Sequence, residues 1–259
     1  MPENSSLRSL PSRLNSHHLL SPIIYTGHDK NLIEDTKQLL LNNCFLSLCT
    51  VEQQDLIMKN IKISRYYRQQ MMFKHGQVCD ELFIVLQGVI KLSWNLVDGK
   101  CITHYFLPAG LMINIVPLVL GRPLMHDCSA HETTVIASIP RHAFLSVLQQ
   151  NPAFSQKIFE LVCQRYYTMF EDTYHQINHS LRTRLVYKLL FLIDYFSQPS
   201  KNTMQINIKL SQEHFAELLQ TSRQSINKEF RWLAQQGIIE VKYNQLVILD
   251  LDKLKSLSH

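Results

Sequence analysis

At 259 residues and 46% hydrophobic content, the chain has enough apolar material for two compact cores. Charged residues are only 18% and the formal net charge of +5 is mildly basic, a balance that suits nucleic acid without demonstrating it. No stretch reaches the roughly 20 apolar residues of a membrane helix, and the six cysteines (Cys44, Cys49, Cys79, Cys101, Cys128, Cys163) form no CxxC pair and no quartet at zinc or iron–sulfur spacing. A helical membrane protein and a cysteine-ligated metalloprotein therefore lack support.

Residues 1–31, rich in Ser, Leu, Asn and Pro without a clean period, read as a mobile N-terminal arm. Arg8 and Arg13 precede no long apolar segment and no small-residue cleavage site, so the chain reads as soluble and cytoplasmic, with its cysteines as reduced thiols. Leu32, Leu39, Leu40, Leu56, Ile57 and Ile61 give helical spacing over 32–60. From about 63 to 140 the texture changes to short apolar runs between turn signals: "LFIVLQGVIKLSW" (82–94), "CITHYFLPAG" (101–110) and "TVIASIP" (134–140). Asp98-Gly99 between two such runs predicts a hairpin. Strands at this spacing predict an antiparallel barrel or jelly roll as the core of a unit spanning 32–150.

Residues 151–181 then switch to one long helix, with Pro152 near its start and no Gly or further Pro. Phe159, Val162, Tyr166, Met169 and Thr173 recur at alternating spacings of three and four, the signature of a seam between two helices. A helix packed on its own barrel would show similar spacing. The length of the stripe, after an already complete barrel, favours a homodimer interface. A further helix over 183–196 ends before a linker, "SQPSKN" (197–202).

The rest of 182–259 reads as helix, short turn, helix and wing. Ser211 is placed to cap "QEHFAELL" (212–219), and Ser222 to cap the next helix, whose Ile226, Phe230 and Leu233 form a buried edge. "GIIEVKYNQLVIL" (237–249) supplies two strands around Tyr243-Asn244. With that edge inward, Arg223, Gln224, Asn227, Lys228 and Arg231 project outward together. A helix of this width fits the DNA major groove, where Arg pairs with guanine and Gln with adenine. Ser222 and Ser225 sit at its leading end, beside Arg223 and Gln224, which should enter deepest. Any amphipathic helix has a polar face. Two capped helices with a wing make it informative.

The order of these parts resembles the CRP/FNR family of bacterial transcription regulators over roughly residues 40–250. The most specific stretches are "IKLSQEHFAELLQTSRQSINKEFRWLAQQGIIEV" (208–241) and "ELFIVLQGVIKL" (81–92), with Gly88 at the turn. The resemblance implies an α+β chain: an N-terminal cyclic-nucleotide-binding-like jelly roll, a long dimerisation helix over 151–181 and a C-terminal winged helix-turn-helix over 182–259. It also implies a homodimer on double-stranded DNA, with RNA polymerase as a further partner. The family's recognition helix usually carries Arg-Glu-hydroxyl and, three positions later, Arg. Here Gln224 replaces the Glu and Lys228 the second Arg. Gln220 stands where the family's turn often has Gly, and must adopt a left-handed conformation or bend the turn differently.

Cyclic-AMP binders of the family use a Gly-Glu pair for the ribose and an Arg-Ser/Thr pair for the phosphate. Those positions fall on Asn114-Ile115 and Leu124-Met125, so the effector pocket lacks both the carboxylate and the guanidinium. Arg122, two residues upstream, reads as a surface residue. Cyclic AMP is not expected as a cofactor, and the effector is unknown. The clustered cysteines of the iron–sulfur branch are missing. The Cys and His ligands of the haem branch correspond to Asn114 and Val116, and the match of Pro2 to its Pro ligand is commonplace. The rival reading is a cupin-like barrel enzyme or effector-binding protein. His75-x-Gln77-x3-Glu81-x6-Gly88 resembles a first cupin motif, but Ile113 stands where the second motif needs its His. One His and one Glu cannot hold Fe or Zn firmly, so no metal site and no catalytic residue is assigned.

Overall fold

The computed structural model of the chain describes residues 40, 46–96, 99–200, 203–242 and 245–258. The predicted arm at 1–31, Leu32 and Leu39, and the hairpin tips at Asp98 and at Tyr243-Asn244 lie outside these residues. A single 3-10 turn at Leu46–Leu48 leads into helix α1 (Val51–Asn60), capped by Thr50 in a reciprocal box with Gln53.

Eight strands follow: β1 (Lys62–Tyr66), β2 (Met71–Phe73), β3 (Glu81–Gln87), β4 (Val89–Asn95), β5 (Cys101–Pro108), β6 (Met112–Ile113), β7 (Asp127–Ala130) and β8 (Thr134–Pro140). They form two antiparallel sheets, ordered β1-β8-β3-β6 and β2-β7-β4-β5. Leu82, Ile84, Val85, Ile90, Val135, Ala137 and Ile139 fill the core between them. Gly88 makes the turn from β3 to β4 at φ +83, with Thr133 O only 2.4 Å from where a Cβ would stand, so no other residue fits without displacing backbone. A short helix α2 (Ile115–Leu120) interrupts the strands, and α3 (Arg141–Gln150) closes the barrel with buried Ala143, Phe144 and Val147.

Helix α4 (Pro152–Asn178) starts at the side-chain cap of Asn151 and runs 27 residues. A break at His179-Ser180 leads to α5 (Leu181–Phe196), capped by Ser180. The expected linker at 197–202 is corrected in part: Ser197–Ser200 is strand β9, which pairs with β10 (Thr203–Ile206). Pro199 is tolerated because β9 is the edge of the sheet β11-β12-β10-β9, where a missing N–H breaks no interior ladder. Helices α6 (Gln212–Leu219) and α7 (Arg223–Gln235) precede the wing strands β11 (Ile239–Lys242) and β12 (Gln245–Ile248), and α8 (Leu251–Ser256) ends the described chain.

The C-terminal core is completed by the barrel. Val89 and Phe106, from β4 and β5, are buried within the apolar cluster that also holds Leu185, Leu189, Phe215, Ile226, Phe230 and Leu233. Polar contacts frame this junction. Lys91 Nζ lies 2.8 Å from Glu217 Oε2 on α6, and Thr103 Oγ1–H donates to the same oxygen. His131 Nε2–H donates to the Lys209 carbonyl at 3.1 Å.

Candidate nucleic-acid interface

The two helices of the C-terminal unit are fixed at every end by local chemistry. Ser211 caps α6, its Oγ accepting from His214 N–H while His214 Nδ1 accepts from Ser211 N–H. At the turn Gln220 adopts the left-handed conformation, φ 51 and ψ 49, a strain glycine would not incur. Ser222 then caps α7 by accepting from Ser225 N–H at 3.1 Å, and the two hydroxyls lie 2.9 Å apart. Ile226, Phe230 and Leu233 are buried, with the Phe230 ring edge-on to Phe215 at 5.0 Å between centroids. This inner row holds α7 against α6.

Arg223, Gln224, Lys228 and Arg231 are exposed, and Ser225 and Asn227 are half-buried. Gln224, Asn227, Lys228 and Arg231 share one concavity of about 500 Å³, together with Trp232, Gln235 and Arg182. Arg223, the first residue of α7, lies outside it. Ser222 and Ser225 are engaged with each other at the cap. The sequence reading missed Arg182, Trp232 and Gln235. Arg182 sits on α5, and no local spacing could tie it to a helix more than forty residues later.

The residues expected to line an effector pocket are only partly brought together. Asn114 and Leu124 both border a cleft of about 870 Å³, along with Lys59, Lys62, Asp80, Glu81 and Arg141. Asn114 is left-handed at φ 70, and its Nδ2 is buried without a hydrogen-bond partner. Ile115 is turned into the barrel core, and Met125 is 56% exposed, its carbonyl accepting from Trp94 Nε1–H at 2.8 Å. Arg122 does not reach the cleft. Arg141 does, and its Nε–H is occupied by the Leu118 carbonyl at 2.8 Å.

Next to Met125, aromatic and imidazole side chains pack on one another. Trp94 stacks on His104 at 4.8 Å, His104 on Tyr105 at 4.3 Å, and His104 Nδ1 lies 3.1 Å from His126 Nε2. Burial, reinforced by His126, pushes His104 down to about 4. Tyr105 O–H donates to Asp172 on α4 at 2.6 Å, and Lys188 on α5 donates to the same carboxylate oxygen at 2.8 Å. Burial raises the Tyr105 phenol well above its ordinary value, and the Asp172 charge adds to that. For Asp172, burial works upward, but Lys188 and the two hydrogen bonds bring it below the usual carboxylate value.

The cupin-like fragment does not converge. His75 N–H donates to Asp127, Gln77 accepts from Lys74 N–H, and Glu81 stands 3.9 Å from Lys62. Among the described residues no three His, Cys, Asp or Glu side chains gather where they would hold a metal ion.

On α4, Phe159, Tyr166, Met169 and Thr173 face solvent, whereas Val162 is half-buried against the barrel core. The exposed row continues as Phe159, Cys163, Tyr166, Phe170, Tyr174 and Ile177, spaced 4, 3, 4, 4 and 3. Ile177 is 76% exposed and Phe170 64%.

Two family profiles match the chain: a cyclic nucleotide-binding domain over residues 63–151 and a Crp-like helix-turn-helix domain over residues 183–257. The CRP-like cAMP-activated global transcriptional regulator of Mycobacterium tuberculosis is 21% identical over 196 residues, 76% of this chain and 88% of its own. The global nitrogen regulator of Synechococcus elongatus is 21% identical over 195 residues, 73% of this chain and 86% of its own. A CooA variant from Carboxydothermus hydrogenoformans shares the fold, with a TM-score of 0.66 at 20% identity over 78% of this chain and 89% of its own. So does a CRP-family regulator from Thermus thermophilus, with a TM-score of 0.63 at 21% identity over 75% and 96%. Both profiles fall on one chain in this order, and its relatives along that length regulate transcription. The chain therefore belongs to the CRP/FNR family of transcription regulators and carries a helix-turn-helix DNA-binding domain.

Proposed function

We propose that the chain acts as a homodimer in the cytoplasm, reading an inverted-repeat promoter site with one α7 in the major groove of each half-site. The observation that carries this reading is the outer face of α7, where Gln224, Asn227, Lys228 and Arg231 share one concavity while Ile226, Phe230 and Leu233 anchor the helix from behind. Arg223 pairs with guanine and Gln224 with adenine. Lys228 and Arg231 contact bases or phosphates, and Ser222 and Ser225 hold the helix start beside the backbone. RNA polymerase at the bound promoter is the partner that family membership implies. No reaction is assigned to the barrel.

The two copies meet along α4. An exposed apolar row of this length is unfavourable in water and has coiled-coil spacing, so its occupant is a second copy of the same helix. Phe159, Tyr166, Met169 and Thr173 belong to this seam, together with Cys163, Phe170, Tyr174 and Ile177. Val162 serves the barrel instead.

Conventional control by cyclic AMP is not expected. A phosphate placed where the family's Arg-Ser/Thr pair would stand meets Leu124 and Met125 instead, and neither side chain can pair with its charge. Calorimetry should detect no binding of cyclic AMP at micromolar concentrations, and a saturable micromolar isotherm would overturn this part.

The decisive experiment is genome-wide DNA occupancy of the wild type and of Arg223→Ala. The wild type should give discrete peaks sharing an inverted repeat, and the variant should lose them. Uniform occupancy by the wild type, or unchanged peaks in the variant, would refute base reading by Arg223.

A further inference from the structure

We propose that Arg182 is a positioning residue of the DNA-reading surface: it fixes the roll of α7 and thereby sets base discrimination. This rests on the reading that α7 enters the major groove. Arg182 is the second residue of α5, just after the break that ends α4. Its Nε–H donates to Glu229 Oε2 at 2.7 Å, and its guanidinium carbon lies 3.7 Å from the centroid of the Trp232 ring. Glu229 and Trp232 are three residues apart on α7, one turn of the same flank, between the buried row and the outward row. The Glu229 side chain is only 12% exposed and that of Arg182 35%, so the carboxylate end of the pair is shielded from bulk water while the guanidinium stays partly accessible.

The contacts made by Ile226, Phe230 and Leu233 hold α7 against its neighbours along one edge of the helix, and the Arg182 contacts brace a second flank of it. A stacked guanidinium and a charge-assisted hydrogen bond are directional. The leverage is large: at a radius of about 6 Å, a roll of about 10° moves a side-chain tip by about 1 Å. Base-edge hydrogen bonds lie within a window of about 0.5 Å, so a roll of that size misplaces Gln224 and Lys228.

The charge arrangement points the same way. Glu229 is the sole acidic residue of α7, and a free carboxylate beside DNA would repel the phosphates. Paired with Arg182 it is neutralised and becomes a fixed anchor. Lysine cannot replace this arginine, because an ammonium offers a point charge without the planar face that lies on Trp232.

The test uses the full-length protein and fluorescence anisotropy on three duplexes: the selected site, the same site with the base read by Gln224 changed, and an unrelated sequence. Arg182→Lys should lower the ratio of affinities for the right and changed sites by roughly fivefold or more. It should leave affinity for the unrelated duplex within about twofold, because its charge is kept. Glu229→Gln, nearly isosteric and therefore safe for folding, should lose discrimination while binding the unrelated duplex more tightly. Wild-type discrimination in Arg182→Lys, or unchanged discrimination in Glu229→Gln, would overturn the positioning role and leave Arg182 as a plain charge. If the wild type itself fails to distinguish the first two duplexes, base reading by Gln224 falls first, and the role of Arg182 falls with it.

Discussion

On α7 the apolar side chains turn inward and the long polar groups are left facing out. Around Leu124 and His126 the barrel does the reverse. There Trp94, His104, Tyr105 and His126 stack on one another, and Asp172 and Lys188 beside Tyr105 are paired across α4 and α5. One surface holds its donors and acceptors out to solvent. The other has matched its own. The contrast is between an outer face of α7 whose long polar groups stay open to solvent and a barrel stack whose polar groups are paired with one another, with the buried Asn114 Nδ2 on the neighbouring cleft as the exception.

The largest test of this contrast acts on the element between the two regions. Phe170→Glu would put a carboxylate from each copy into the α4 seam, and sedimentation should show monomers. Affinity for an intact inverted repeat should drop by roughly 100-fold or more, because the second half-site no longer binds at high effective concentration. Mild oxidation of the wild type should give a disulfide-linked dimer that Cys163→Ser abolishes, since the seam would bring Cys163 next to its copy. A Phe170→Glu protein that remained dimeric would move the interface elsewhere.

Gln224→Glu sharpens the open side of the comparison. A carboxylate accepts from cytosine N4, whereas Gln pairs with adenine, so selection from random duplexes should return a half-site changed at one inner base. The expected preference is about 1–3 kcal/mol at that position, and identical selected sites would show that Gln224 does not read a base.

What was legible in the sequence follows the range of the interaction. The caps Ser211 and Ser222, the buried edge of α7 and the left-handed Gln220 are settled within a few residues, and each could be read there. Helix α3 left a readable pattern in Ala143, Phe144 and Val147 that the sequence reading passed over. The course of 197–200 depended on a partner strand, and turn-like Ser and Pro concealed it. On α4, spacing alone could not tell Val162 from Cys163, because the barrel decides which edge of the stripe is covered. Arg182 with Glu229, and His104 with His126, are meetings of distant segments with no local trace.

A smaller effect concerns the junction where the barrel meets the helix-turn-helix. Glu217 holds Lys91 and Thr103, whose side chains belong to the barrel, from its place on α6. Glu217→Ala would leave the Lys91 ammonium half-buried without its partner and should destabilise the protein by about 1–3 kcal/mol in urea unfolding. Glu217→Gln, which still accepts from both, should cost less. An unchanged midpoint in Glu217→Ala would mean that this contact does not tie the helix-turn-helix to the barrel.

The smallest expected effect is a slope with pH. His131 lies in the same junction, faced by the Lys209 carbonyl, His214, Arg68 and Lys91, and is held down to about 4 by burial, with His214, Arg68 and Lys91 adding to that against the Lys209 bond. His104 is also held at about 4. An unfolded histidine titrates near 6.5, so between about 6.5 and 4 the unfolded chain binds protons that the folded chain refuses. The stability these histidines contribute is complete above about pH 6.5 and is lost progressively as the pH falls towards 4. Asp172 is depressed and acts only below the ordinary carboxylate range, so it does not blur this window. Thermal unfolding should therefore drop by a few degrees from pH 7 to pH 5, and His131→Phe should flatten part of that decline. A decline of the same steepness in His131→Phe would rule out His131 and leave as its source either His214, which packs against it and is likewise held down by burial, or the imidazole stack of His104 and His126.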